Sequence, residues 1–191
     1  SMMSQQLFDE RATFQTERLI VQGVSYTTSR PSRLTNLADR AVSILTPAVT
    51  SSLPPGWQQI DTVAKAVDWI KTQIEESDVF TIELGSTRQL STQAVVGFLF
   101  LNGEPSTTPN QIDVRLGYLL AEEVWGRGLG SELIKGLVDW CEELGNVAPI
   151  TGGVELDNHA SIRVLEKNGF IPQPNEDGPA GMIFLEKRIA R

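Results

Sequence analysis

Apolar positions along the chain follow two spacings, and the changes between them divide it into elements. Glu17 to Val24 alternates loosely and reads as a first strand. Tyr26 to Ser52 is rich in Ser, Thr, Arg and Pro, which predicts irregular structure around a short helix near Leu34 to Leu45. Leu53-Pro54-Pro55-Gly56 breaks any element. From Ile60 onward Val63, Ala64, Val67, Ile70 and Ile74 fall on one helical stripe that stops near Glu76. Val79 to Leu84 and Ala94 to Leu101 are β-rich runs separated by a polar turn, the pattern of an antiparallel pair. Asn102 to Asn110, with two Pro and a Gly, reads as a loop, and Ile112 to Leu120 as the next strand.

A helix is expected from Gly128 to Leu144, with Leu129, Leu133, Leu137, Val138, Cys141 and Leu144 on its buried face. Gly145 stands where a left-handed C-terminal cap belongs. Ile150 to Leu156 is a strand, and Asp157 or Asn158 can cap a short helix ending at Asn168-Gly169. Met182 to Ile189 gives a last strand. The second half thus reads strand, helix, strand, helix, strand. That order favours an α/β layer with a parallel pair around the Gly128–Leu144 helix.

At 191 residues, 40% hydrophobic and 21% charged, the chain has the size and composition of one globular domain. The first 13 residues, opening on a Ser1 that precedes Met2, are expected to form a flexible tag or terminus. No apolar run is long enough to span a bilayer, and no charged-then-apolar leader pattern is visible, so no membrane partner is expected. One Cys and one His make a Cys/His metal site improbable, and the lone Cys141 fits a reducing, cytoplasmic setting. The net charge of -8, without a Lys/Arg cluster, argues against nucleic acid and suits a cationic substrate such as an amine.

The informative stretch runs from Leu116 to Ser131. A strand enters a short acidic turn, and Gly126, Gly128 and Gly130 then open an amphipathic helix. The first amides of a helix lack intrahelical partners and carry the positive end of its dipole. Glycines there let an anion approach closely, and Arg127 adds a positive charge beside them. A phosphate-bearing ligand is the natural occupant. A P-loop would need Lys-Ser/Thr after its last glycine, where this chain has Ser131-Glu132. A dinucleotide fingerprint would need its glycines after the first strand rather than deep in the chain.

Trp125 to Gly130 resembles the acetyl-CoA signature of the GNAT superfamily of N-acetyltransferases, usually Gln/Arg-x-x-Gly-x-Gly/Ala. Asp157 to Phe170 resembles the superfamily's second signature. Thr16-Glu17-Arg18-Leu19 resembles the opening of the branch that contains ribosomal-protein N-terminal (alanine/serine) acetyltransferases. The resemblance implies an α/β (α+β) GNAT fold in a single domain over the whole chain. It implies a mixed sheet of about six to seven strands with splayed parallel central strands, and about four helices.

The resemblance also implies a site. Acetyl-CoA or coenzyme A serves as co-substrate, with no metal. Its pantetheine arm bonds like an added strand to backbone groups of Tyr118, Leu119 and Leu120. Its pyrophosphate rests on the segment Gly126, Arg127, Gly128, Leu129, Gly130 and Ser131, and Asn158 contacts the arm. A backbone amide near Leu120 faces the thioester oxygen and stabilises the oxyanion. The implied reaction moves an acetyl or other short acyl group directly to a primary amine in a ternary complex. The acceptor is a small molecule or a protein N-terminus, and a homodimer is one expected assembly. The alternative of a different class is a non-catalytic module of this fold that binds acyl-CoA as a sensor or scaffold.

Two positions depart from the pattern. Trp125 replaces Gln or Arg and forfeits a polar contact with the pyrophosphate. Leu165 stands seven residues after Asn158, where relatives with a tyrosine general acid carry it, which leaves Ser161 as the best-placed hydroxyl. Glu155 ranks first as general base, against its reading as a surface carboxylate, and Glu83 is weaker. His159 is expected to be solvated in the first turn of its helix. Cys141, Trp69 and Trp140 are expected to pack, and so is Trp57, although it follows Pro-Pro-Gly in a loop where an acceptor could sit.

Overall fold

The computed structural model describes Phe8 and residues 12–24, 30–85, 94–174 and 178–189. In chain order the elements are β1 (Thr13–Gln15), β2 (Leu19–Gly23), α1 (Pro31–Ile44), α2 (Pro47–Thr50) and α3 (Val63–Glu76). There follow β3 (Asp78–Leu84), β4 (Val95–Pro105), β5 (Ile112–Leu120), α4 (Leu129–Leu144) and β6 (Val147–Glu155). The chain closes with α5 (His159–Lys167), β7 (Ile171–Gln173) and β8 (Met182–Arg188). All eight strands form one sheet in the order β1-β2-β3-β4-β5-β6-β8-β7. Every pairing is antiparallel except β5 with β6, which α4 connects.

The described residues thus hold eight strands and five helices, against the six to seven and four expected. The additions are short: β1 and β7 have three residues each, and α2 is a single turn. At the start of α1, Pro31 occupies the first helical turn, where its missing N–H costs nothing, so the helix begins earlier than Leu34. β4 runs on to Pro105 through residues expected to be loop, because β5 pairs with it down to Ile112. Thr62, whose hydroxyl accepts from the Lys65 amide at 3.2 Å, starts α3 at Val63 rather than Ile60. The expected flexible terminus gives way at its end, where Thr13 begins β1 and Phe8 sets its ring 4.8 Å from that of Trp140. Residues 1–7 and 9–11 lie outside the described residues.

Two helical layers cover the two faces of the sheet. Residues opposite one another in a ladder share a face, so Phe80, Leu99 and Tyr118 lie together, as do Phe98 with Leu119 and Phe100 with Gly117. Trp140 of α4 packs edge-on against Phe80 at 5.9 Å, which puts α4 on the first face. Leu165 of α5 presses on Gly152, opposite Leu116, so α5 shares that face. Trp69 of α3 meets Phe98 at 5.4 Å, and Trp57, in a 3-10 turn over Pro55–Trp57, meets Phe100 at 4.7 Å. That is the second face.

α4 buries Leu129, Leu133, Ile134, Leu137, Val138 and Cys141, each large side chain worth roughly 1.5–3 kcal/mol on burial. Leu144, expected on that stripe, is instead 44% exposed in the last turn, just before Gly145 closes the helix at φ 77°. Gly136 sits mid-helix because β1 crosses there. A Cβ at Gly136 would lie 2.5 Å from the Thr16 methyl and 3.1 Å from the Phe14 ring.

Candidate active site

The parallel ladder between β5 and β6 ends early. Its last partners are Leu116 and Gly152, yet β5 continues beside β4 to Leu120 and β6 beside β8 to Glu155. The two strands therefore leave a gap between their C-terminal ends. The Ala121 amide donates to the Val96 carbonyl at 2.7 Å. Antiparallel alternation then turns the backbone groups of Leu120 and Tyr118 away from β4 and into the gap. The backbone of Leu119, between them, turns the other way. Its carbonyl points at Gly97, where a Cβ would stand only 2.2 Å away, so its backbone bonds to β4.

The loop at the mouth of this gap has the geometry its glycines suggest. Gly126 and Gly128 have φ of 76° and 77°, in the left-handed region that disfavours side chains. Gly128 precedes α4 without a side-chain cap, which leaves the amides of Leu129, Gly130 and Ser131 free of intrahelical partners. Trp125, expected only to lose a contact, donates its indole N–H to the Leu120 carbonyl at 2.9 Å and ties the loop to the strand end.

Arg18 gives a second tie that sequence reasoning missed. Its Nε donates to Glu132 Oε1 at 2.8 Å, and a terminal nitrogen donates to the Arg127 carbonyl at 3.0 Å. Its backbone amide and the Thr16 hydroxyl both donate to the other Glu132 oxygen. Burial works to raise the Glu132 pKa, but the hydrogen bonds from Thr16 and Arg18 outweigh it and leave the carboxyl below its ordinary value. The resemblance at Thr16 to Leu19 was legible in the sequence, but its contact with a loop more than a hundred residues away was not.

α5 supplies the other wall. Asn158 caps it, accepting from the Ser161 amide through its side-chain oxygen at 3.2 Å, which resolves the choice between Asp157 and Asn158. Asn168 donates to the Ser131 hydroxyl at 3.2 Å and to the Val164 carbonyl at 2.8 Å, locking the end of α5 to the start of α4. Ser161 stands 3.5 Å from the Tyr118 hydroxyl, at the outer limit of a hydrogen bond. Burial pushes the Tyr118 phenol above its ordinary pKa, while Ser161 opposes the shift, so Tyr118 keeps its proton at neutral pH. This second hydroxyl was also missed.

Two cavities meet at these residues. The larger, of about 630 Å³, runs from the glycine loop past Tyr118, Leu119 and Leu120 to Asn158 and Ser161. Its charged lining residues among those described are Arg163 and Lys167, with no carboxylate. The smaller, of about 250 Å³, reaches to Trp57 and Met182, and Glu155 is its one charged lining residue among those described. The cavities share Ser52, Leu53, Tyr118, Asn158 and Ser161. On β6, Glu155 lies opposite Met182, on the same face as Gly153 and away from Gly152 and α5. Glu155 and Ser161 thus flank the gap from opposite faces of the sheet.

The remaining candidates lie elsewhere. Glu83, on β3, lines neither cavity. His159 is exposed. Cys141 is fully covered in the core, where burial pushes its thiol up to about 12, which makes it a packing residue rather than a nucleophile. No group of His, Cys, Asp or Glu among the described residues could hold a metal ion, and no helix among them is long and apolar enough to cross a membrane.

The gap between the splayed parallel strands, with a glycine-opened helix at its mouth, has the form that the resemblance to the N-acetyltransferases implies. Residues 30–171 match the acetyltransferase (GNAT) domain, and the chain belongs to that family. Solved structures share the fold at low identity. A ribosomal L7/L12 alpha-N-protein acetyltransferase (RimL) in complex with coenzyme A superposes with a TM-score of 0.69 at 16% identity, over 93% of this chain and 98% of that one. The ribosomal-protein-S5-alanine acetyltransferase from Vibrio fischeri gives 0.65 at 15% identity, over 93% and 97%. The microcin C7 self immunity acetyltransferase MccE, in complex with acetyl-CoA and AMP, gives 0.61 at 14% identity, over 91% and 93%.

Proposed function

We propose that the protein, acting as a single domain, transfers an acetyl or other short acyl group from acyl-CoA to a primary amine by direct attack in a ternary complex. The observation that carries this reading is the pair of oppositely charged cavities joined at Tyr118 and Ser161. The larger, cationic one suits a polyanionic thioester. Its free helix amides at Leu129, Gly130 and Ser131 would receive the pyrophosphate beside Arg127. The backbone of Tyr118 and Leu120 would hold the pantetheine arm in the gap, with Asn158 alongside. The smaller, anionic cavity suits an ammonium.

The chemistry follows from those positions. Glu155 takes a proton from the ammonium on one face of the sheet, and the freed amine attacks the thioester carbon through the gap. The Leu120 amide would stabilise the developing oxyanion. The carbon–sulfur bond breaks, and Ser161, on the other face, protonates the departing thiolate and is itself reprotonated by the second proton the nitrogen loses, with the Tyr118 hydroxyl beside it. Holding both reactants in line can itself supply much of the rate. The test is release of coenzyme A thiol from acetyl-CoA in the presence of a panel of amines, peptides and polyamines. Turnover with any primary amine supports the reading. Tight acetyl-CoA binding without turnover across the panel points instead to a binding module.

A further inference from the structure

The smaller cavity also constrains the kind of amine, an inference that rests on the reading above and extends it. Its apolar lining includes Leu53, Pro54 and Trp57, together with Val154 of β6 and Met182 of β8. Trp57 is braced edge-on by Trp69 at 5.5 Å and tilted against Phe100 at 4.7 Å. Gly117 lies directly opposite Phe100 in the ladder, and a Cβ added there would meet nothing within 4 Å. The missing side chain therefore leaves open space on the face of the sheet that carries Phe100 and Trp57, and both Gly117 and Trp57 line the cavity. The hydroxyl and amide groups of Ser52, Tyr118, Asn158 and Ser161 all stand at the end shared with the larger cavity. The shared end is polar, and beyond it Glu155 is the one charged side chain in an otherwise largely apolar lining.

Size narrows the choice further. An apolar cavity of about 150 Å³ accommodates a benzene ring. At about 250 Å³ this one fits a single ring carrying a short alkyl arm. We propose that the acceptor is an aralkylamine, a primary ammonium on a short arm from a flat apolar ring, with no carboxylate beside the nitrogen. The ammonium faces Glu155, and the ring lies between Trp57 and Gly117. A free amino acid would bring its carboxylate up to Glu155, with no cation among the described lining residues to offset it. A peptide N-terminus would bury its first N–H and C=O groups against Leu53, Pro54 and Trp57, and a buried peptide group without partners is costly. In the transfer, the nitrogen bonds to the acyl carbon as the carbon–sulfur bond breaks. One ammonium proton goes to Glu155, and the second proton lost by nitrogen balances the one taken up by the thiolate.

The test compares kcat/KM for phenethylamine, phenylalanine and a tetrapeptide amide beginning with phenylalanine, with acetyl-CoA binding followed by calorimetry. Phenethylamine is expected to exceed both others by on the order of 100-fold, the size of a close like-charge or desolvation penalty. Gly117→Val, which suits a strand and fills the space under Trp57, should remove phenethylamine transfer and leave acetyl-CoA affinity within twofold on the order of assay scatter. If that variant also loses acetyl-CoA, Trp57→Ala repeats the test from the opposite wall. Preference for the amino acid or the peptide, or full phenethylamine turnover in both wall variants, overturns the aralkylamine assignment alone. Failure to bind acetyl-CoA, or binding with no transfer to any amine, overturns the acyltransferase reading and the assignment with it.

Discussion

Ser161 and Glu155 flank the gap from opposite faces of the sheet, so substitution at each should disturb a different half of the reaction. Ser161→Ala should lower kcat with little change in coenzyme A affinity, the behaviour of a contact made mainly in the transition state. Glu155→Gln should slow the reaction most at low pH, where few acceptor amines are already neutral. At high pH the free amine needs no base, and the two rates should converge. Each effect is expected at about 10²–10⁴-fold, read from initial rates across a pH series. Full activity in both variants would assign transfer to positioning and the Leu120 amide alone. Gly128 offers an independent check. At φ 77°, and with the Arg18 guanidinium 3.7 Å from where its Cβ would stand, Gly128→Val should strain the loop and crowd the pyrophosphate. Coenzyme A affinity by calorimetry should fall by at least about tenfold, or about 1.4 kcal/mol. Unchanged affinity would put the phosphates elsewhere.

Among the elements, the join between the N-terminal strands and α4 ties down the glycine loop. Arg18 bonds to Glu132 and to the Arg127 carbonyl at once, which a lysine ammonium cannot match with the same planar geometry. Arg18→Ala should raise the KM for acetyl-CoA and leave the acceptor KM unchanged, and Arg18→Lys should restore little. The same join is sensitive to acid. Glu132 has its pKa lowered on folding, so its contribution to stability is fully present above the ordinary carboxylate value and is lost as pH falls through the depressed one. The gap in melting temperature between the parent and Glu132→Gln should therefore close on acidification from about pH 6 to about pH 3. A gap that widens would contradict the assignment.

Much of this level was legible in the sequence where periodicity or glycine dictated it. The stripe of α4 up to Cys141, the cap at Gly145 and the parallel β5–β6 pair follow from local pattern, and the cap of α5 narrows to Asp157 or Asn158. Three-residue strands such as β1 and β7 carry too few positions to show a period, and they exist because a neighbour completes their hydrogen bonds. The helix expected near Leu34 to Leu45 starts at Pro31, because proline fits the first helical turn. At the site, the glycine loop, Asn158 and Ser161 were readable from the motifs. The Arg18 clasp, the Trp125 bond to Leu120 and the approach of Tyr118 to Ser161 were not, since each depends on how distant segments pack.

For the whole molecule, charge is divided between the two cavities. An acidic chain of net charge -8 places Arg163 and Lys167 around the larger cavity and Glu155 in the smaller one, so in the proposed reaction each reactant would meet the opposite charge from its own side. The two cavities meet at the gap opened by the early end of the β5–β6 ladder. Thermal melting in the presence of ligand tests the acyl-CoA site most directly. A ligand that binds only the folded state stabilises it by about 2.7 kcal/mol at 100 times its Kd. For a chain of this size that corresponds to a rise of roughly 5–10 °C. Coenzyme A and acetyl-CoA are expected to produce a rise of this order that grows with concentration, while ATP and NAD produce none. Stabilisation by ATP or NAD, with no response to coenzyme A, would contradict the assignment of the glycine-opened cavity to acyl-CoA.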